Sequence, residues 1–170
     1  MTSPAAPLPV ERGRARIAAY VYGNILVLGA VVSATPHTIE DGHAVIVVLA
    51  TTVTTYLAHV VAHAVGAALT DDDSPSAEPA FGPAELRDAL PIVSSGSAPA
   101  LILLIGAVTT LEPVLVEAAA ALVVVVRLVG IGLVVDRLGA GVRRRWSWLS
   151  GIVLAGISVV IVALKLAFAH

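Results

Sequence analysis

Residues Pro113–Leu138 read PVLVEAAAALVVVVRLVGIGLVVDRL, and this stretch decides the fold class. A bilayer core about 30 Å thick is crossed by about 20 predominantly apolar residues in an α-helix, so the stretch is long enough to span a membrane. Three further stretches are equally suitable: Ile17–Ala34, His43–Leu69 and Trp146–Phe168. The sequence therefore predicts an all-α, polytopic bundle of transmembrane helices.

The composition of the whole chain favours the same class. Of its 170 residues, 58% are hydrophobic and 13% are charged, whereas about a quarter of the residues in a soluble domain are charged. The formal net charge of -2 provides no basic field for nucleic acid. The chain has no cysteine, which excludes disulfides and thiolate metal ligands. We therefore expect the lipid bilayer as the chain's surroundings and no nucleic-acid partner.

The distribution of arginine predicts a fifth, weaker span, Ala89–Thr110. Cytoplasmic loops are enriched in Lys and Arg. With five spans and a cytoplasmic N-terminus, eight of the ten basic residues fall on the inner side: Arg12, Arg14, Arg16, Arg87, Arg137, Arg143, Arg144 and Arg145. The alternative of four spans would separate the last three arginines from the first three. We therefore expect five spans in the plasma membrane, with the N-terminus inside and the C-terminus outside.

The chain is predicted to contain one domain. Residues 1–16 are expected to be a disordered, basic N-terminal segment, and residues 17–170 a single transmembrane domain with a polar cytoplasmic loop at 70–88. Within that loop, Pro83 is expected to begin a short amphipathic helix, Ala84–Leu90, because proline suits the first position of a helix.

The first apolar stretch has an alternative interpretation as a secretory signal. A basic region precedes it, and Val32–Ser33–Ala34 resembles a cleavage site. The stretch is about 18 residues long, however, and signals have apolar regions of about 7–15 residues. We therefore interpret it as a membrane span.

Polar residues of the predicted spans lie at matched depths. A helix rises 1.5 Å per residue, and counting from the inner helix ends places these residues in a slab roughly 9–17 Å from the inner surface. The candidate intramembrane polar site consists of Asn24, Tyr56, His59, His63, Ser94, Ser95, Ser97 and Arg127. An arginine in mid-membrane costs about 2.5–3.5 kcal/mol on insertion scales, so Arg127 should face the bundle interior. Its predicted partners are Asn24, the serine hydroxyls, carbonyls freed by Pro99, and His59.

The second predicted helix carries a polar face. Thr52, Tyr56, His59 and His63 are spaced so that they share one side of the helix. The histidines have three interpretations: hydrogen bonds between helices, a proton or ion pathway, or a metal site. A metal would need a third ligand, which no carboxylate on this helix supplies. Val60 stands where an intramembrane metalloprotease has glutamate. We predict no metal site, no cofactor and no catalytic residue, and hence no enzyme.

The segment Leu90–Pro99 is predicted to break the third of the five helices. Pro99 removes an amide donor and clashes with the carbonyl one turn earlier. Such backbone is tolerated in a membrane only where it is buried in protein or lines a cavity, and discontinuous helices recur at ion and substrate sites. The alternative is a structural helix with a kink, in which serine hydroxyls bond to the freed carbonyls.

The run Tyr56–His63, YLAHVVAH, follows a Thr-rich apolar stretch, and Lys165 lies in the closing helix. In these features the chain resembles small multi-pass integral membrane proteins of high-GC bacteria, a group without an assigned function. The resemblance implies a membrane location and no particular activity.

Two classes of function are compatible with these patterns. The first is a transporter-like or channel-like protein, linked to protons or cations through the polar layer. The second is a non-catalytic scaffold or accessory subunit. Such a protein would bind a membrane-protein partner or a second copy of itself through the small residues Ala58, Ala62 and Gly66, which allow helices to approach closely.

Overall fold

The computed structural model describes residues 9–69 and 83–138, together with Gly156 and Val160. Within the two long ranges the chain is all-helical. The helices are α1 (Pro9–Val32), α2 (Pro36–Glu40), α3 (His43–Leu69), α4 (Pro83–Val108) and α5 (Pro113–Leu138).

Four of these helices are long and apolar enough to cross a membrane. The candidate spans among the described residues are Ala15–Val32 in α1, His43–Gly66 in α3, Ala89–Val108 in α4 and Pro113–Ile131 in α5. The predicted all-α class is therefore confirmed for the described residues, and α4, which contains the weak candidate span, is also long and apolar enough to cross a membrane. Of the predicted span Trp146–Phe168, only Gly156 and Val160 belong to the described part of the chain.

Two predicted boundaries are wrong. Helix α1 begins at Pro9, so residues 9–16, which were predicted to be disordered, are helical, whereas residues 1–8 lie outside the described part. Helix α4 runs without interruption from Pro83 to Val108, so Ala84–Leu90 is its first part and not a separate helix. Pro9 fits the start of α1, because proline at the first helical position lacks only an amide that would have no partner within the helix.

The connection between α1 and α3 contains the short helix α2. The side chain of Thr35 accepts a bond from the Thr38 amide at 3.3 Å, and the Thr38 hydroxyl accepts one from the Thr35 amide at 2.9 Å. This reciprocal capping satisfies amides at the start of the helix. Gly42 then adopts a φ of 77°, a conformation that favours glycine, and the chain turns into α3.

Helices α1 and α4 form the central pair of the bundle. Each of them contacts the other and both α3 and α5, whereas the described parts of α3 and α5 do not contact one another. The short helix α2 packs against α3, α4 and α5. The connections at 33–42 and 109–112 therefore lie at one end of the bundle. The beginnings of α1 and α4 lie at the other end.

The apolar residues divide into an inner and an outer set. The core contains Leu28, Val31, Ile39, Val48, Leu103, Val124 and Leu128, which are fully or almost fully buried. The outer surface is equally apolar, as on α3, where Ile46, Leu49, Val53, Leu57 and Val61 form an exposed stripe. An exposed apolar surface of this extent is expected to face lipid, because a soluble protein rarely exposes such large patches.

Glycines bring α4 close to both α1 and α3. A Cβ atom at Gly23 of α1 would lie 2.9 Å from Ser95 Oγ and 3.2 Å from the Ile92 Cα atom. A Cβ atom at Gly96 of α4 would collide with the side chain of Thr52 on α3. Small residues at such positions allow van der Waals packing between transmembrane helices, which is a main source of their association.

We expect the substitution Gly96→Ala to lower the melting temperature of the protein in detergent micelles. The added methyl group would overpack the contact with Thr52, which costs about 1–3 kcal/mol in a close-packed interior. Thr52→Ala removes the nearest atoms, so the double variant should recover part of the lost stability. Gly29→Ala is the control, because a Cβ atom there meets no atom within 4 Å. An equal loss in the control would contradict the close α3–α4 contact.

Candidate intramembrane polar site

Arg127 joins α5 to α4 through two backbone carbonyls. Its Nη1 atom donates to Ser94 O at 2.9 Å and to Ser95 O at 3.3 Å. The side chain is half-buried and lies beside the buried residues Val124 and Leu128 of α5. Four kinds of partner were predicted for Arg127 from the sequence. The structure shows bonds to one of them, the backbone carbonyls near Pro99.

The Ser95 carbonyl needs a donor because of Pro99. In an α-helix this carbonyl would accept from the amide of residue 99, and proline has no amide hydrogen. Arg127 supplies a hydrogen bond from the neighbouring helix instead. The helical backbone continues through residues 90–99, so the predicted break is wrong. The predicted bond between Arg127 and a carbonyl freed by Pro99 is the contact that satisfies this backbone.

The three serines of the segment point in different directions. Ser95 is fully buried against Gly23 of α1, and its hydroxyl donates to Ile92 O at 2.6 Å. Ser94 and Ser97 are exposed on the outer face of α4. Their hydroxyls donate to Pro91 O at 2.8 Å and to Ser94 O at 2.9 Å. These local bonds agree with the alternative of a structural helix whose hydroxyls bond to its own carbonyls.

Asn24 is fully buried in the central pair. Its Nδ2 atom donates to Tyr20 O at 2.8 Å, one turn earlier in α1. Its Oδ1 atom is buried and has no hydrogen-bond donor among the described residues. A buried acceptor without a donor costs about 1–3 kcal/mol of stability.

The polar face of α3 turns from the core to the surface along the helix. Thr52 is buried, and its hydroxyl donates to Val48 O at 2.7 Å. Tyr56 and His59 are half-buried, and His63 is exposed. The two imidazole rings lie side by side, with their centroids 4.6 Å apart. The predicted shared face is therefore present, but at His63, toward the end of α3, it faces outward.

The structure does not bring the histidines to Arg127. The described parts of α3 and α5 have no contact, because the central pair α1 and α4 separates them. The predicted partnership of Arg127 with His59 is accordingly not seen, and Arg127 donates to α4. Among the described residues, no three His, Cys, Asp or Glu side chains are grouped so that they could hold a metal ion.

A cleft of about 470 Å³ lies between α1, α4 and α5. It is lined by Arg16, Ile17, Tyr20, Pro91, Arg127, Gly130 and Ile131. The Nη2 and Nε atoms of Arg127 form no hydrogen bond with any described residue, so these donors are available to a ligand in the cleft. The polar site is thus divided: the arginines border the cleft, and the histidines lie on the far side of the bundle.

Sequence reasoning missed Arg16 as a member of the site. It was assigned only to the basic cytoplasmic segment. A signal was present, because Arg16, Tyr20 and Asn24 follow one another at intervals of four residues and therefore share one face of α1. That face leads from the cleft to the buried amide of Asn24.

Comparisons with protein-family models, with characterised proteins and with solved structures give no match for this chain. The resemblance to small bacterial membrane proteins therefore stays a prediction. The arguments for function rest on the geometry of the site.

Proposed function

We propose that this protein is a small transporter-like protein in which the Arg127 cleft binds an anionic solute group. The observation that supports the proposal is a guanidinium group in a candidate span that lines the cleft, with Nη1 bonded to α4 and no hydrogen bond from Nη2 or Nε to any described residue. An ionisable residue within a membrane span costs free energy and commonly marks a substrate or ion pathway.

The sign of the charge favours an anion at this position. A cation about 4 Å from the guanidinium would be repelled by about 4 kcal/mol at an effective dielectric constant of 20. A proton or cation linkage, as expected from the sequence, would then involve His59 and His63 on the other side of the bundle. The proposal therefore assigns the solute to the cleft and any coupling proton to the histidines.

The arrangement of basic residues supports a topology with the cleft on the cytoplasmic side of the plasma membrane. Arg16 and Arg87 lie near the beginnings of α1 and α4, at the same end of the bundle as the cleft. The connections at 33–42 and 109–112, at the opposite end, contain no Lys or Arg. By the positive-inside rule the N-terminus is cytoplasmic, and a fifth span at Trp146–Phe168 would place the C-terminus outside.

Single cysteines would test this topology, since the chain has none of its own. We expect a membrane-impermeant maleimide to label His37→Cys and His170→Cys in intact cells, and to label Ser74→Cys only after the cells are opened. The reverse pattern for positions 37 and 74 would contradict the orientation. Protection of position 170 in intact cells would contradict the fifth span.

A second function, that of a scaffold or accessory subunit, is favoured by the surface of α3. Ala58, Ala62 and Gly66 are exposed, and a Cβ atom at Gly66 would meet no atom within 4 Å. A helix of a second copy or of another membrane protein could approach closely there. In this case the histidines would serve as hydrogen-bonding groups of an interface.

Flux measurements in proteoliposomes would separate the two functions. We expect uptake of a small anion, tested with chloride, inorganic phosphate and acetate, and a fall of at least tenfold with Arg127→Gln. Arg87→Gln is the control, because this arginine is exposed and does not line the cleft. His59→Ala should change only the response to a pH gradient.

Two results would contradict the transport proposal. One is the absence of flux for all three anions, for potassium and for protons, which would favour the scaffold. The other is an equal effect of the Arg127 and Arg87 substitutions, which would place any pathway away from the cleft.

A further inference from the structure

The second half of α3 carries two imidazole side chains at the outer surface of the bundle. His59 is half-buried and His63 is exposed, and their ring centroids lie 4.6 Å apart. Neither imidazole forms a hydrogen bond with a described residue. Ionisable side chains within membrane spans are costly, and they almost always face the bundle interior and find partners there. A pair at the outer surface therefore indicates a ligand or a partner outside the described bundle.

The spacing of the two histidines suits a metal ion. Two histidines at i and i+4 on one face of a helix are an arrangement that binds a single zinc ion. A structural zinc site has four protein ligands in a tetrahedron, and this pair supplies two of them. Among the described residues, no third His, Cys, Asp or Glu side chain is grouped with the pair. The described part of one chain therefore provides only half of a zinc site.

A second copy of the chain supplies the two missing ligands by symmetry. Copies of a protein share one orientation in a membrane, so a two-fold axis that relates two of them runs along the membrane normal. Such an axis places the same patch of each copy opposite itself, at the same depth. The histidine pair of one copy would then face the histidine pair of the other. Four imidazoles, a ligand type that suits zinc, would surround one point.

Small side chains on the histidine face of α3 leave room for a second helix. Ala62 lies three residues after His59, and Gly66 lies three residues after His63, so both share that face. Both are exposed, and a Cβ atom at Gly66 would meet no atom within 4 Å. Small residues allow membrane helices to approach closely. Imidazoles from two helices can therefore reach one ion at this position.

We propose that two copies of this protein bind one zinc ion between their α3 helices, with His59 and His63 of each copy as the four ligands. The inference rests on the scaffold function for its choice of surface, and it adds the identity of the partner and the ion that joins the copies. It is independent of the Arg127 cleft, which lies between α1, α4 and α5, away from the histidine face.

Zinc titration of the full chain in neutral detergent micelles would test the inference, with a purification tag that contains no histidine. Titration calorimetry gives the affinity and the number of ions per chain, and analytical ultracentrifugation gives the number of chains in the complex. An ion that binds only the dimer shifts the equilibrium toward it. We expect one ion per two chains, and a change from monomer to dimer that a chelator reverses.

Substitution of each ligand should remove the site. We expect His59→Ala and His63→Ala each to lower the apparent zinc affinity at least tenfold and to abolish zinc-dependent dimerisation. His37→Ala is the matched control, because His37 is an exposed histidine of α2, beyond the other end of α3, where it lies 3.9 Å from Asp41. Its loss should leave the zinc affinity and the dimer unchanged.

Gly66→Leu tests the interface without removing a ligand. The added side chain extends into open space beside the histidines, so it should preserve the fold of one copy and keep two copies apart. We expect zinc-dependent dimerisation to be lost and the apparent zinc affinity to fall at least tenfold. Gly29→Leu is the matched control, since Gly29 of α1 is exposed and also has open space around it.

Three other outcomes would overturn the inference. One ion per chain without dimerisation would identify a site within a single copy. A dimer that forms without zinc, and that persists in the His59→Ala and His63→Ala variants, would support the scaffold function and reject the metal. Zinc binding that is absent, or equal in wild type and in the variant that lacks both histidines, would show that the pair binds no zinc.

Discussion

The Ser95 carbonyl lacks an amide donor from its own helix, because residue 99 is proline, and the candidate site depends on this deficiency. Water cannot satisfy the carbonyl in the hydrocarbon core, so another protein group must do so. Arg127 of α5 provides that group through Nη1, which bonds to Ser94 O and Ser95 O. The contact offsets two free-energy costs: that of the Ser95 carbonyl without an amide donor, and that of the Arg127 charge within a candidate span.

The central pair of helices determines what else the site can contain. Because α1 and α4 contact each other closely at Gly23 and Ser95, they separate α3 from α5. The charged cleft and the histidine face therefore lie on opposite sides of the bundle. A mechanism that couples them would have to act through the central pair, where the buried Asn24 Oδ1 atom has no donor among the described residues.

The length of each apolar helix and the depth of its polar residues could be predicted from the sequence. Which helices are neighbours, and which way each side chain points, could not. The length and polarity of the apolar stretches predicted the four long helices that are described, and the cost of a charge in lipid predicted that Arg127 would find partners on another helix. His59 was placed at the depth of Arg127, but depth does not determine which helices are neighbours. Ser94 and Ser97 were grouped with Ser95, although successive helical positions differ by about 100° and cannot all face inward.

A double-mutant cycle between Arg127→Met and Pro99→Ala would test most directly whether Arg127 compensates for the missing amide of residue 99. Alanine at this position restores a donor to Ser95 O, so the loss of Arg127 should then be less destabilising. We expect a coupling free energy of about 1 kcal/mol by reversible unfolding in micelles, within the range measured for hydrogen bonds between membrane helices. Pro91→Ala is the control proline and should leave the effect of Arg127→Met unchanged. An equal cost of Arg127→Met with proline or alanine at position 99 would contradict the account.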